Sequence, residues 1–456
     1  MSALWTRDEA VRATGGICAV DWAASGVSID TRSLEAGDLF VALSASRDGH
    51  DFVSQALAQG AAAALVSRIP EGLEDAPLLL VPDVLRGLEA LGVAARARTQ
   101  ARVIAITGSV GKTGSKEMLR VALAGQGKIH VAEKSYNNHE GVPLTLARMH
   151  RDTDIAVIEI GMNHAGEIAP LARMARPHVA LVTTVAPVHL AAFADVDEIA
   201  QEKAAIFKGL EAGGTAIINT DIDCSPILET AARGFGVLRF GTGEGHDFRL
   251  ISCDVSSGMT VVRGMTPMGE MIFKLGGEGE HLAQNALGVL AGLYALKVDL
   301  ARAAMALANW HPPEGRGGRS KLALGPEGLD GHFMLIDESY NANPASTRAA
   351  LQTLARQKGR KVAILGDMLE LGETAPALHQ GLAEFAAQVD VVHTVGPLMA
   401  AVEFDNRGIT ALSADRLAAE IGRQVRAGDV VMVKGSLGMK MALVIDALQK
   451  LGDAEG

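Results

Sequence analysis

A glycine-rich turn between an apolar run and a helix-type segment is the feature best suited to chemistry. In ARVIAITGSVGKTGSKEML, Gly108 and Gly111 flank a turn that ends in Lys112 and Thr113, although Ile106 stands where the general pattern has a glycine. Glycines let backbone N–H groups converge on phosphate oxygens, lysine neutralises terminal phosphates, and a threonine hydroxyl can bind Mg²⁺. An incidental glycine turn is the alternative. The segment predicts a phosphate site formed by Gly108, Ser109, Val110, Gly111, Lys112 and Thr113.

Two charged residues lie inside apolar stretches, where an unpaired charge is unfavourable. Glu159 interrupts the strand-type run DIAVIEIG, so it is a candidate magnesium ligand unless it lies on an edge strand and faces solvent. Lys203 falls on the helical stripe that also contains Ile199 and Ile206. Snorkelling of its ammonium group to the surface is the ordinary explanation. A role at a metal site would instead require carbamoylation, which converts the repelling cation into an anionic oxygen ligand.

Other polar residues follow predicted strands, at the edge where open α/β sheets bind ligands. His189 follows HVALVTTV, Asp337 ends HFMLID, and Asp367 follows KVAILG. A lone histidine is more often structural, and the SYNANPAS loop after Asp337 can simply build turns. These positions are candidate ligand contacts.

The composition is that of a folded, acidic protein with more than one domain. The 456 residues include 42 Lys and Arg against 53 Asp and Glu, which gives a formal charge of −11, and no basic block is present. Nucleic acid is therefore not an expected partner. Three scattered cysteines favour a reducing compartment over a disulfide framework. Because neither a secretory signal nor a membrane span is predicted, we expect a cytoplasmic protein that does not bind membranes.

Alternating strand and helix patterns predict an α/β protein of three domains. Residues 1–100 form a small α/β N-terminal domain, residues 101–313 a central P-loop domain with a parallel sheet, and residues 314–456 a C-terminal Rossmann-like, doubly wound domain. Short alternating runs between His246 and Gly279 predict antiparallel hairpins, interpreted as a β insertion in the central domain. The Pro-, Gly- and Arg-rich segment HPPEGRGGR is interpreted as an interdomain linker.

In this order, the motifs resemble those of the Mur ligases of bacterial cell-wall synthesis along nearly the whole chain. TGSVGKT resembles the phosphate loop of that family, including its short glycine spacing, and SYNNHEGVP resembles its NN…G.P element. EIGMNHAGEI, DESYNANPAS and LGDMLELG are most similar to the dipeptide-adding member. The resemblance implies ATP-dependent ligation through an acyl phosphate, in which D-alanyl-D-alanine is added to UDP-N-acetylmuramoyl-tripeptide.

The resemblance also implies roles for individual residues. Catalytic roles are implied for Lys112, Glu159, His189 and Lys203. Two Mg²⁺ sites are implied at Thr113, Glu159, His189 and a carbamoylated Lys203. Beyond the phosphate loop, ATP contacts are implied for Asn138, Asn285, Arg316 and Asp337. Substrate contacts are implied for Asp30, Thr31, Arg32, Ser33, Asp48, Gly49, His50, Asn341 and Asn343.

Three positions depart from the family pattern. Gly114 replaces the usual Thr or Ser, Leu282 replaces the usual Asn, and ALSASRDGH lacks the usual glycine before DGH. None of them removes a residue needed for phosphoryl transfer. The resemblance implies a monomer, and it leaves open whether the tripeptide ends in diaminopimelate or lysine.

Three other functions share some of these features. A sibling ligase that adds a single amino acid, or that extends folate with glutamate, would keep the phosphate loop, although SYNANP and the UDP-type first segment disfavour folate. A P-loop NTPase that uses hydrolysis for mechanical or regulatory work would not need a sugar-nucleotide module. A non-catalytic nucleotide-binding protein is disfavoured because the phosphate loop, Glu159, His189 and Lys203 are all intact.

Overall fold

The strands of the chain form three main sheets, which confirms the predicted α/β class. The computed structural model describes residues 3–44, 47–256, 258–325 and 330–451. Two residues of the ALSASRDGH segment, 45 and 46, lie outside these ranges. None of the helices within the described ranges is both long enough and apolar enough to cross a membrane.

The first sheet has four parallel strands and precedes the phosphate loop. The strands of this part of the chain are β1 (Trp5–Thr6), β2 (Ala23–Ala24), β3 (Gly26–Ser28), β4 (Asp38–Val41), β5 (Ala63–Val66) and β6 (Leu78–Leu80). The helices are α1 (Arg7–Thr14), α2 (Val53–Ala58) and α3 (Val84–Ala97), with a 3-10 turn over Gly49–Phe52. The sheet order is β3-β4-β5-β6, and β1 pairs separately with β2. Thr6 and Glu9 form a capping box that begins α1.

The central sheet has nine strands. They are β7 (Arg102–Thr107), β8 (Ile129–Val131), β9 (Ile155–Glu159), β10 (Val179–Val182), β11 (Thr215–Asn219), β12 (Gly236–Gly241), β13 (Phe248–Ser256), β14 (Met259–Thr266) and β15 (Gly269–Gly276). The helices are α4 (Lys112–Ala122), α5 (Gly141–Ala147), α6 (Ile168–Ala175), α7 (Val196–Ala204), α8 (Ser225–Ala231), α9 (Glu280–Ala295) and α10 (Leu300–Ala306). Short 3-10 segments follow α7 and α10 over Ala205–Gly209 and Leu307–Asn309.

Apolar side chains cover both faces of the central sheet, as a parallel sheet requires. The strand order is β15-β14-β13-β12-β11-β10-β7-β9-β8. The predicted antiparallel hairpins are confirmed, since β14 pairs antiparallel with both β13 and β15. They extend the central sheet, because β13 pairs in parallel with β12 at Phe240 and Gly241.

The third sheet has the doubly wound character expected of the last segment. Its strands are β16 (Gly318–Ala323), β17 (His332–Glu338), β18 (Lys361–Gly366), β19 (Val391–Val395), β20 (Arg407–Ala411) and β21 (Val430–Lys434). Its helices are α11 (Pro344–Ala355), α12 (Ala375–Gln380), α13 (Ala383–Ala386), α14 (Pro397–Ala401), α15 (Ala414–Ala418) and α16 (Ala442–Gln449). Short 3-10 turns cover Gly372–Thr374, Ile421–Gln424 and Leu437–Met439. All pairings in the order β16-β17-β21-β18-β19-β20 are parallel except that of β16 with β17.

The parallel register brings the candidate residues to one edge of the central sheet. Thr107, at the end of β7, lies beside Val182 of β10, and Ile106 lies beside Glu159 of β9. The segments that follow these three strands carry the phosphate loop, Glu159 and His189. Polar residues that are distant in sequence therefore meet at the carboxyl edge, where such sheets bind ligands.

Candidate functional site

The phosphate loop joins β7 to α4 and depends on two glycines. Gly108 and Gly111 have φ angles of 153° and 88°, which side-chain-bearing residues rarely adopt. A Cβ atom on Gly108 would lie 2.0 Å from Thr183 Oγ1, and one on Gly111 would lie 2.7 Å from Asn285 Nδ2. The glycines are therefore needed for both the turn and the close approach of neighbouring side chains.

The end of β10 holds the phosphate loop in place. The Thr183 hydroxyl donates to the Val110 carbonyl at 2.6 Å, and the Ser109 amide donates to the Thr184 carbonyl at 2.8 Å. The Ser109 hydroxyl donates to the carbonyl of Ala186 at 3.1 Å. These bonds organise the loop within the protein, as preorganised binding of an anion requires.

Lys112 begins α4, and its ammonium group lies over the loop that it follows. Its Nζ donates to the Gly108 carbonyl at 2.6 Å. Burial lowers the pKa of Lys112 to about 8, the negative charge of Glu159 opposes that shift, and Arg316 adds to it. A bound polyanion would favour the charged form of this lysine.

Glu159 has one satisfied carboxylate oxygen and one that has no partner. Oε1 accepts hydrogen bonds from Thr113 Oγ1 at 3.0 Å and from Asn137 Nδ2 at 2.8 Å, while Oε2 is buried without a partner in the described structure. The residue is 1% exposed on the interior strand β9, so the edge-strand alternative is wrong. An orphaned carboxylate oxygen beside a threonine hydroxyl fits a hard cation such as Mg²⁺.

Lys203 is buried on α7, with 1% of its surface exposed. The snorkelling explanation is therefore wrong. Burial lowers the pKa of Lys203 well below its ordinary value, and the positive charge of Lys112 lowers it further. The neutral amine therefore forms at a lower pH than in a solvated lysine, and the neutral amine is the form that reacts with carbon dioxide.

His189 lies in the loop after β10 and reaches across to the C-terminal part of the chain. Its Nδ1 lies 2.7 Å from Oε2 of Glu370. Burial lowers the pKa of His189, Glu370 raises it, and the nearby charges of Lys112 and Lys203 lower it. Within the described residues, no three His, Cys, Asp or Glu side chains form a ready-made metal cluster. A cation at this edge would thus need ligands of other kinds, such as the Thr113 hydroxyl and the oxygens of a bound phosphate.

A cavity of about 520 Å³ connects the candidate residues of the central sheet with those of the third sheet. The predicted residues that line it are Ser109, Val110, Gly111, Lys112, Thr113, Asn138, Glu159, His189, Asn285, Arg316, Asn341 and Asn343. Its described lining does not include Gly108, Lys203 or Asp337. The structure thus brings most of the predicted nucleotide and metal residues around one space.

Contacts beside the cavity and within its lining shape its walls. The Asp337 carboxylate accepts hydrogen bonds from the amides of Gly315 and Ser339 at 3.1 and 3.0 Å, which fixes the linker beside β17. The Arg316 guanidinium lies 4.0 Å from the centre of the Tyr340 ring. Asn343 caps α11 by accepting from the Ser346 amide at 2.9 Å.

The predicted sugar-nucleotide residues lie in the first sheet region and do not line the cavity that the described residues form. Asp30 binds the guanidinium of Arg32, which lowers the pKa of Asp30 to about 2. Asp48 accepts hydrogen bonds from the His50 amide at 3.0 Å and from Arg68 at 2.7 Å. The His50 ring is buried and accepts from the Ser67 amide at 2.9 Å. Thr31, Ser33 and Gly49 accompany these residues in the same turns.

Sequence reasoning missed several residues of the site. Asn137, rather than its neighbour Asn138, reaches Glu159, and the Asn138 side chain instead accepts from the Gly141 amide at 2.8 Å. Lys434 is 2% exposed at the end of β21, and it donates to Glu338 at 3.2 Å and to the Asn341 carbonyl at 3.0 Å. A charged residue inside an apolar strand was the signal that identified Glu159, and it could have identified Lys434 in DVVMVKGS.

Comparisons with known proteins agree with this geometry. Models of the Mur ligase middle domain, of the Mur ligase glutamate ligase domain and of the Mur ligase family catalytic domain match residues 106–293, 327–437 and 23–99. The UDP-N-acetylmuramoyl-tripeptide–D-alanyl-D-alanine ligase of Escherichia coli (strain K12) is 37% identical over 96% of each chain. The ligase of the same name from Bacillus subtilis (strain 168) is 33% identical over 93% of each chain.

Solved structures give the same result. MurF from Acinetobacter baumannii has a TM-score of 0.86 and 29% identity, covering 98% of this chain and 99% of that chain. MurF ligase from Thermotoga maritima in complex with ADP has a TM-score of 0.78 and 25% identity, covering 94% and 98%. The chain belongs to the Mur ligase family and is an ATP-dependent ligase.

Proposed function

We propose that this ligase adds D-alanyl-D-alanine to UDP-N-acetylmuramoyl-tripeptide in peptidoglycan precursor synthesis. Residues 1–100 would bind the UDP-sugar through the turns around Asp30 and Asp48. Residues 101–313 would bind ATP, and residues 314–456 would hold the incoming dipeptide near Asn341 and Asn343. The names of the relatives from Escherichia coli and Bacillus subtilis support these substrates.

The reaction begins with transfer of the γ-phosphoryl group of ATP to the terminal carboxylate of the tripeptide, which breaks the bond from the γ-phosphorus to the β,γ-bridging oxygen and releases ADP. This step is needed because an unactivated carboxylate lacks a competent leaving group. Lys112 and the amides of the phosphate loop neutralise the moving phosphoryl group. The dipeptide amine then attacks the acyl phosphate, the carbon–oxygen bond to phosphate breaks, and an amide and inorganic phosphate result. Closure of the parts of the chain around the cavity would keep water from the acyl phosphate.

Thr113, Glu159, His189 and a carbamoylated Lys203 would hold two Mg²⁺ ions, which neutralise phosphate charge when bound. The orphaned Glu159 Oε2 beside Thr113 supports a cation site here. The lowered pKa of the buried Lys203 supports carbamoylation, because only the neutral amine reacts with carbon dioxide. We also infer a monomer in the cytoplasm, where ATP is supplied.

The single observation that carries the proposal is the unpartnered Glu159 oxygen in a cavity that Lys112 and Asn341 also line. A P-loop NTPase would need only the lining residues that come from the central sheet and its loops, and not those that come from the third sheet. We therefore expect phosphate release from ATP to require both UDP-muramoyl-tripeptide and D-alanyl-D-alanine. Coupled phosphate release with each substrate omitted in turn would test this, using tripeptides ending in diaminopimelate and in lysine. Equal release without the dipeptide, or with single amino acids in its place, would favour the NTPase or the sibling ligase.

Domain closure is a second expected behaviour. The contacts that link the central part to the C-terminal part include an ion pair of 2.7 Å between Arg319 and Glu278 and the bond between His189 and Glu370. Because an acyl phosphate must be shielded from water, substrates should favour an arrangement in which these parts are close. We expect an ATP analogue plus UDP-tripeptide to narrow the distribution of the radius of gyration in small-angle scattering. An identical scattering curve with and without both ligands would contradict closure.

A further inference from the structure

The candidate metal ligand His189 is held by a carboxylate from a different part of the chain. Glu370 lies in the loop between β18 and α12, within the LGDMLELG motif, and its Oε2 lies 2.7 Å from His189 Nδ1. The backbone strengthens the contact, since the Ala191 amide donates to the Glu370 carbonyl at 3.3 Å. The two loops therefore meet through a side-chain bond and a main-chain bond.

Both residues of this pair have an unfavourable backbone conformation. His189 has φ 55° and Glu370 has φ 63°, a region that residues other than glycine rarely adopt. Such conformations persist where the surrounding structure imposes them, and they cluster at ligand sites and switch regions. Here they occur together, at the two ends of one contact between the central and C-terminal parts.

A carboxylate that accepts a hydrogen bond from one imidazole nitrogen determines whether the other nitrogen is free to bind a cation. When Nδ1 carries the proton and donates it to a carboxylate, the tautomer and the ring orientation are fixed, and Nε2 keeps a lone pair for a cation. His189 is among the described residues that line the cavity, whereas Glu370 is not, and its side chain is 64% exposed. Glu370 is thus placed to act through His189.

We propose that Glu370 is a positioning residue of the cation site, which directs His189 Nε2 into the cavity. This inference rests on the proposed cation role of His189. Because Glu370 comes from the C-terminal part, His189 is oriented only while that part is seated on the central one. Cation binding and domain closure then favour each other, since coupling between two equilibria is reciprocal.

Manganese binding tests this proposal without the ligase reaction. The probe is Mn²⁺ with a non-hydrolysable ATP analogue, and free Mn²⁺ is measured from its six-line paramagnetic resonance signal. We expect Glu370→Ala to weaken Mn²⁺ binding by about tenfold, as loss of a carboxylate behind a ligating histidine does. Glu370→Gln should recover most of the affinity because its amide oxygen can still accept from Nδ1–H. The matched control is Glu373→Ala, which removes an exposed carboxylate three residues along the same loop.

Each outcome has a defined meaning. A Glu370→Ala variant that binds Mn²⁺ as tightly as Glu373→Ala overturns the positioning role. His189→Ala provides the reference for the proposed function, because unchanged Mn²⁺ affinity there would remove His189 from the cation site and the positioning role with it. Weaker binding in His189→Ala together with parental binding in Glu370→Ala would reject the positioning role alone. The unfolding temperature of each variant is measured as well, and equal values show that differences in Mn²⁺ affinity do not come from differences in folding.

Discussion

Replacing Lys112 with alanine should slow ligation by about 10²- to 10³-fold, the range found when one preorganised charge-stabilising donor is removed. Its ammonium group lies over the phosphate loop, 2.6 Å from the Gly108 carbonyl, and it lines the same cavity as Glu159. Lys112 is the one positively charged residue of the loop sequence from Gly108 to Thr113. The variant should therefore lose both affinity for ATP and the rate of phosphoryl transfer.

The measurement is substrate-dependent phosphate release, together with binding of an ATP analogue by calorimetry. Lys128→Ala is a suitable control, because Lys128 lies in the same part of the chain with 68% of its side chain exposed. The expected result is a parental rate for Lys128→Ala and a strongly reduced rate for Lys112→Ala at equal thermal stability. A parental ligation rate in Lys112→Ala would remove the central step of the proposed mechanism.

Much of the site could be predicted because polar residues interrupt strong apolar patterns. Glu159 in a buried strand and Lys203 on an apolar helix stripe were each identified in this way, and both side chains are 1% exposed. The glycines of the phosphate loop are identified by their position between an apolar run and a helix-type segment, and their φ angles and close neighbours explain why glycine is required. Local pattern is informative wherever burial and backbone conformation restrict the residue type.

The contacts between distant segments could not be predicted in the same way. Glu370 is exposed in a loop, so no periodicity singles it out, and only the tertiary structure brings it to His189. Asp367 was a candidate ligand contact at the end of a strand, but its carboxylate accepts from the Met399 amide at 2.7 Å and caps α14. The antiparallel strands after His246 are predicted from their alternating pattern. The parallel pairing of β13 with β12 is not, because the pattern does not indicate which strand lies beside β13 in the folded chain.

Carbamoylation of Lys203 has a large expected effect that can be tested chemically. The neutral amine would add to carbon dioxide and release one proton, giving a carbamate oxygen where the ammonium group would repel a cation. Loss of that ligand should cost about 4 kcal/mol of transition-state stabilisation, or about 10³-fold in rate. We expect this loss in Lys203→Met, with Lys208→Met as the control because Lys208 is exposed five residues further along the chain, in the 3-10 segment after α7.

The pH dependence follows from the lowered pKa of Lys203, which burial causes. At a pH above the pKa of Lys203, the amine is neutral and can form the carbamate. As the pH falls below that pKa, the amine becomes protonated and the carbamate is lost. Activity of the parent should therefore decline toward acid pH and on removal of dissolved carbon dioxide, and bicarbonate should restore it at neutral pH. With ¹³C-bicarbonate, a carbamate resonance should be present in the parent and in Lys208→Met but absent in Lys203→Met. If the parent lacked this resonance and lost no activity without carbon dioxide, Lys203 would act as an unmodified amine.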